Sequence, residues 1–189
     1  MVNKIHRDTL LTIIAEWLEE TELPSLVLRD QPAPDIESLT RILAIVGPRR
    51  AGKTYYMYQL IQSLLQSRKY TKEDILFIDF EDYRLREFSG DTIDELFAAF
   101  HQNAGRYPRF LFFDEVQHLP DWQRIVRTLH NRRRFTIIIS GSNSKLLGAE
   151  IATELRGRYH DVIMLPFSFS EFLRYREISY SSASHAYRV

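Results

Sequence analysis

The chain has 189 residues, 44% of them apolar and 13% aromatic, which is enough for one domain with a well-buried core. Its 25 basic and 25 acidic side chains cancel, so no global field marks it for a nucleic acid or a membrane surface. The absence of cysteine excludes a disulfide framework and thiol catalysis, and no apolar run approaches the roughly 20 residues that cross a bilayer, so a cytoplasmic protein without a membrane partner is expected.

Leu10, Ile14, Trp17 and Leu18 recur on one helical face behind Asp8, a residue type that caps helices. Residues 1–39 therefore read as an amphipathic helix followed by a connector, Asp30 to Ser38, interrupted by Pro32 and Pro34. From residue 40, short apolar runs alternate with helical patterns. Strands are predicted at Ile42 to Val46, Ile75 to Phe80, Phe110 to Phe113, Thr136 to Ile139 and Val162 to Leu165. Helices are predicted at Lys53 to Ser67, Thr92 to His101, Trp122 to His130 and Ser144 to Leu155. Repeated strand–helix units imply a mostly parallel five-stranded sheet covered on both faces, the three-layer α/β class. Ser168-Phe-Ser-Glu171 has capping-box spacing ahead of Phe172 and Leu173, so one more helix is expected there. The main domain reads as residues 40–175, and 176–189 as a tail that begins a C-terminal region.

Gly47-Pro48-Arg49-Arg50-Ala51-Gly52-Lys53-Thr54 fits the phosphate-binding pattern G-x-x-x-x-G-K-[ST] and lies between a strand and a helix, as that loop requires. Backbone N–H groups of such a loop point inward, and the helix N-terminus adds partial positive charge, so Gly47 to Tyr55 are candidate nucleotide contacts. Lys53 would meet the β and γ phosphates, and the Thr54 hydroxyl would be a magnesium ligand. The bland alternative is a glycine turn with a solvated lysine.

Phe110-Leu-Phe-Phe-Asp114-Glu115 is a buried strand ending in two acids at the sheet edge where open α/β sheets bind ligands. Asp114 would hold magnesium, and Glu115 would polarise an attacking water. The fourth strand ends in Ser140-Gly-Ser142-Asn143, where Ser142 or Asn143 could sense a γ-phosphate or simply cap the next helix. Arg156 and Arg158 flank Gly157 ahead of the fifth strand; Arg158 could stabilise transition-state charge from within the chain or from a neighbouring subunit, or be a surface ion pair. Glu81 and Asp82 follow an expected edge strand and read as local structure. Arg132 to Arg134, with Arg124 and Arg127, form a basic run that suits either nucleic-acid phosphates or a solvated helix end. The six histidines show no metal-ligand spacing.

Five phrases in fixed order carry a family resemblance: Ile45 to Thr54, Phe112 to Gln117 followed by Trp122, Ser140 to Leu147, Leu155 to Arg158, and Leu165 to Leu173. Together they resemble the prokaryotic AAA-type ATP-binding family over roughly residues 40–173. The resemblance implies ATP rather than GTP, Mg2+, and a sheet of order 5-1-4-3-2 with the fourth strand between the P-loop strand and the Asp114 strand. It implies magnesium-dependent ATP hydrolysis driving a conformational switch, with ATP and ADP as ligands and a homo-oligomer or partner protein as possible company. Family members continue into a helical or winged-helix region that closes over the nucleotide, so weak turnover is expected of this stretch alone. The alternatives are a nucleotide-binding regulatory module with little turnover and a DNA-associated ATPase subunit.

Overall fold

The computed structural model describes residues 7–19, 23–141, 155 and 157–178. Strands β1 (Ile42–Val46), β2 (Ile75–Asp79), β3 (Phe110–Asp114), β4 (Thr136–Gly141) and β5 (Tyr159–Ile163) form one sheet in the order β2-β3-β4-β1-β5. Every pairing is parallel. This is the expected order, with β4 between β1 and β3. The three central strands are buried along their whole length, as their continuous apolar runs require of strands covered on both faces. Helices α2 (Lys53–Gln66), α3 (Ile93–Ala104) and α4 (Trp122–Asn131) link consecutive strands, and each turns an apolar stripe inward, such as Trp122, Ile125, Val126 and Leu129 of α4.

Two boundaries differ from the sequence reading by three residues, and the others agree within two. β5 begins at Tyr159, three residues before the predicted start at Val162. It pairs only with β1 and is the sheet edge, so Tyr159, His160 and Asp161 sit on an open strand that an apolar-run criterion cannot see. Helix α3 continues past His101 to Ala104 and stops at Gly105, whose φ of 72° places it in the left-handed region. The predicted helix from Ser144 to Leu155 lies outside the described residues except for Leu155, which is buried.

Helix α1 (Arg7–Glu19) buries Leu10, Ile13, Ile14 and Trp17 and leaves Leu18 partly buried. Asp8 lies inside its first turn rather than ahead of it, where its charge favours the helix dipole. The apolar stripe of α1 packs on α3, with Arg7 Nη2 donating to Gln102 Oε1 at 2.7 Å. Trp17 Nε1 donates to the Ile75 carbonyl at 2.7 Å, and its ring meets Phe77 and the Lys72 ammonium. That carbonyl belongs to edge strand β2, so the tryptophan satisfies an acceptor that no neighbouring strand can reach.

The connector after α1 is laid across α2. The Tyr56 hydroxyl donates to the Pro32 carbonyl at 3.0 Å, the Arg29 N–H donates to Gln59 Oε1 at 3.1 Å, and Ile36 is buried. Helix α5 (Phe169–Tyr175) carries the expected capping box, with Glu171 N–H donating to Ser168 Oγ and Ser168 N–H to Glu171 Oε2.

Trp17→Ala removes a buried ring and orphans the Ile75 carbonyl. A loss of about 3 kcal/mol in urea unfolding is expected, and an unchanged midpoint would show that α1 adds nothing to the stability of the sheet.

Candidate functional site

Because all five strands run parallel, the chain leaves each of them at the same sheet edge. The loop after β1 emerges at Gly47, where β5 continues alongside through Met164 N–H donating to the Val46 carbonyl at 2.7 Å. A Cβ at Gly47 would collide with the Met164 carbonyl, so only glycine fits beside this strand. Arg50 (φ 65°) and Gly52 (φ 87°) take left-handed backbone and curl the loop, with Ala51 N–H donating to the Pro48 carbonyl at 3.2 Å. Helix α2 then begins with no side-chain cap and no acid in its first turn. Its free N–H groups and dipole are therefore available to an anion.

Lys53 is 4% exposed. Its ammonium donates to the Pro48 carbonyl at 3.2 Å and lies 3.6 Å from Glu115 Oε1. The Thr54 hydroxyl donates to Asp114 Oδ2 at 2.6 Å, the Ser140 hydroxyl donates to Asp114 Oδ1, and Glu115 N–H reaches both Asp114 Oδ1 and Ser140 Oγ at 3.1 Å. Burial raises the Asp114 pKa above the ordinary carboxylate value; hydrogen bonds from Ser140 and Thr54 oppose that rise and the Glu115 charge adds to it. No described cationic side chain pairs with Asp114. A buried carboxylate without a cation, touching a threonine hydroxyl at a helix N-terminus, suits a hard divalent ion shared with phosphates. The described residues hold no cluster of three or more His, Asp or Glu ligands that would bind such an ion alone.

Glu115 adopts left-handed backbone (φ 48°, ψ 46°) at the exit of β3. Its carboxylate is held between Lys53 and Gln117, whose Nε2 donates to Glu115 Oε2 at 2.6 Å. The Gln117 Oε1 is buried without a partner among the described residues. Beside the loop opens a cavity of about 430 Å3, walled by Ser25, Val27 and Arg29 of the connector, Arg50 to Gly52 and Tyr55 of the loop and α2, and Phe167 and Tyr175.

The structure thus brings Gly47 to Tyr55, Asp114 and Glu115 to one edge. Arg49 reaches across it to Glu81 at 3.4 Å, an exposed contact that gives Glu81 a partner beyond its own turn, while Asp82 does pair locally with Arg84. Arg158 is exposed and precedes β5, so it lies at the opposite sheet edge and does not approach the loop of its own chain. Ser142, Asn143 and Arg156 lie outside the described residues. The sequence reading passed over Ser140, Gln117, Arg29 and Asp79. Ser140 stands in the polar phrase that closes β4, and Asp79 ends β2 level with Asp114. Nothing in the sequence pairs Arg29 with a loop 22 residues away.

The sequence matches the family described as AAA domain over residues 39–173. It is 38% identical over 167 residues to an uncharacterized protein of Methanocaldococcus jannaschii, which covers 88% of this chain and 35% of that protein. It is 31% identical over 141 residues to an uncharacterized protein of Haemophilus influenzae, covering 75% of this chain and 35% of that protein. The chain therefore spans about a third of the length of the curated relatives it matches. The structure of C. elegans PCH-2 aligns with a TM-score of 0.43 and 16% identity over 83% of this chain and 42% of that one, too distant to carry an argument.

Asp79 adds a third carboxylate to this edge. Desolvation pushes its pKa from 3.8 up to about 6, with the charges of Asp114, Glu81 and Glu115 contributing, although part of the side chain remains open to solvent. The folded state then binds more protons than the unfolded chain between about pH 4 and pH 6, so stability falls as pH rises through that window. Asp79→Asn should flatten the dependence of Tm on pH there and raise Tm above pH 6; an unaltered profile would refute the assignment.

Proposed function

The chain belongs to the AAA-domain family matched over residues 39–173, and on that premise we propose that this nucleotide-binding domain hydrolyses ATP in a magnesium-dependent reaction. The observation that carries the reading is the chain of contacts Lys53–Glu115 and Thr54–Asp114–Ser140, which sets the loop lysine, a cation-seeking carboxylate and a second carboxylate beside one helix N-terminus. Bound magnesium, held by the Thr54 hydroxyl and by Asp114, would neutralise phosphate charge. Lys53 would exchange the Pro48 carbonyl and Glu115 for β and γ phosphate oxygens. Glu115, released by that exchange and still oriented by Gln117, would accept a proton from the water that attacks the γ-phosphorus as the bond to the β-phosphate oxygen breaks, leaving ADP and phosphate. The neighbouring 430 Å3 cavity, with Val27, Tyr55, Phe167 and Tyr175 on its walls, has the size and apolar character for the nucleoside.

Exchange of Lys53 between Glu115 and phosphate is a change of partner that a conformational switch can follow. Arg158, one strand length from its own loop, would act on the site of a neighbouring copy. The domain organisation we propose is the helix and connector of 1–39 wrapped on a core of 40–175.

A second reading, contact with a nucleic-acid backbone, is favoured by one specific feature. At the opposite sheet edge a cleft of about 500 Å3 is lined by Arg109, His130, Arg133 and Arg134 and by no acid. The Arg109 guanidinium lies 5.0 Å from the Tyr70 ring centroid, so an aromatic surface stands beside the charge. Arg133→Glu with Arg134→Glu should abolish salt-dependent binding of a fluorescent single-stranded oligonucleotide; a wild type that binds none at low salt ends this reading.

The leading reading is tested by calorimetry with ATP and by phosphate release. Lys53→Ala should lose binding, whereas Glu115→Gln should bind ATP and lose turnover at least about a hundredfold. Binding without any turnover by the wild type would instead make the domain a nucleotide-controlled regulatory module.

A further inference from the structure

Arg29 lies ten residues before the matched family domain, yet its side chain is built into the loop. Nη1 donates to the Ala51 carbonyl at 2.7 Å, Nη2 to the Leu165 carbonyl at 2.6 Å, and Nε to Glu171 Oε1 at 2.9 Å. The two side chains of the ion pair are 6% and 4% exposed. Glu171 is itself held on both oxygens, because Oε1 also accepts from Asp30 N–H at 2.7 Å and Oε2 from Ser168 N–H at 2.8 Å. Phe167 lies against the guanidinium at 5.0 Å. A buried pair of this kind adds little stability over an apolar pair, but it fixes position, since neither charge can move without leaving the other unpaired.

What it fixes is a peptide. The Ala51–Gly52 bond is trans, as is every peptide bond described, so its C=O and N–H point in opposite directions. With the carbonyl held by Arg29, the Gly52 N–H is turned away from Arg29, and it has no acceptor among the described residues. Glycine on the C-terminal side of a peptide makes its rotation easy, because no Cβ opposes the change in φ. Arg29 removes that freedom by holding the carbonyl.

We propose that Arg29, seated by Glu171, is a positioning residue for phosphate binding: it locks the Ala51–Gly52 peptide with the Gly52 N–H facing the nucleotide phosphates, and it ties that peptide to the first turn of α5. The inference rests on the phosphate-binding reading of the loop. It makes the connector part of the site, and it makes any displacement of α5 a means of unlocking the loop.

The test uses the full chain with Arg29→Met, Arg29→Lys and Glu171→Gln. Three quantities are read: the amide NMR signal and hydrogen exchange of Gly52, affinities for magnesium ATP and for inorganic pyrophosphate, and Tm. In Arg29→Met the Gly52 amide should shift and exchange faster, and both affinities should fall together by about tenfold, the equivalent of one charge-assisted hydrogen bond. Arg29→Lys, whose ammonium can still donate to the Ala51 carbonyl, should recover most of that loss, and Glu171→Gln should show a smaller loss in the same direction.

A folded Arg29→Met that keeps its Gly52 amide and pyrophosphate affinity while losing ATP affinity would overturn the proposal and make Arg29 a wall of the nucleoside cavity. A fall in Tm alone would make it a structural ion pair. If Arg29→Met does not fold, the lysine and glutamine variants decide by the same readouts. A wild type that binds neither ligand refutes the nucleotide reading, and the Gly52 amide then decides the peptide lock by itself.

Discussion

The carboxylate of Asp114 is the point on which the site depends. It is 1% exposed and receives hydroxyl hydrogen bonds from two directions, Thr54 at the start of α2 and Ser140 on β4. Those three residues are far apart in the chain, and the strand order brings them together. Since β4 lies between β1 and β3, its last residues fall between the loop after β1 and the acids after β3. The registers Phe113 with Ile139 and Ile45 with Ser140 then set Ser140 beside both. A different strand order would leave Asp114 buried without these donors, which is a costly state for a charge. Even with them, burial raises its pKa, and the unmet demand for positive charge is what makes the position suitable for a divalent ion.

Lys53 shows the same constraint from the other side. Nearly enclosed, it satisfies its ammonium with the Pro48 carbonyl and the Glu115 carboxylate. Both partners can be surrendered to phosphate oxygens, which carry more charge and return the hydrogen bonds lost. Glu115 has a second holder in Gln117, so losing the lysine frees its charge without freeing its position. The two glycines of the loop serve separate purposes. Gly47 is needed because β5 runs too close for a side chain, whereas Gly52 is needed because its backbone is left-handed and Arg29 lies against it.

Much of this was legible in the sequence because it depends on local pattern. Four strands and four helices, α1 to α4, follow from apolar periodicity, and the loop and acid pair follow from motif and position. The order of the sheet followed from the family resemblance, not from periodicity. What escaped depends on partners distant in sequence. β5 was placed late because an edge strand can carry Tyr159, His160 and Asp161 on its open faces. Ser140 was passed over in favour of Ser142 and Asn143, since a serine inside a buried strand gives no hint of its acceptor. Arg29, in a proline-bearing connector, resembles any solvated arginine until Glu171, 142 residues on, is set beside it.

The position of Arg158, by contrast, could have been deduced from topology alone. A residue that immediately precedes a strand of an all-parallel sheet must stand at the edge where strands begin, and the loop after β1 stands where they end. Five strand residues at about 3.3 Å each separate the two by roughly 17 Å, beyond the reach of one arginine side chain. An arginine at that edge therefore does not meet phosphates held by the loop of its own chain. Arg29, from outside the matched domain, stands instead at the ending edge, where it holds the Ala51 carbonyl and so reaches the phosphate cradle that Arg158 cannot.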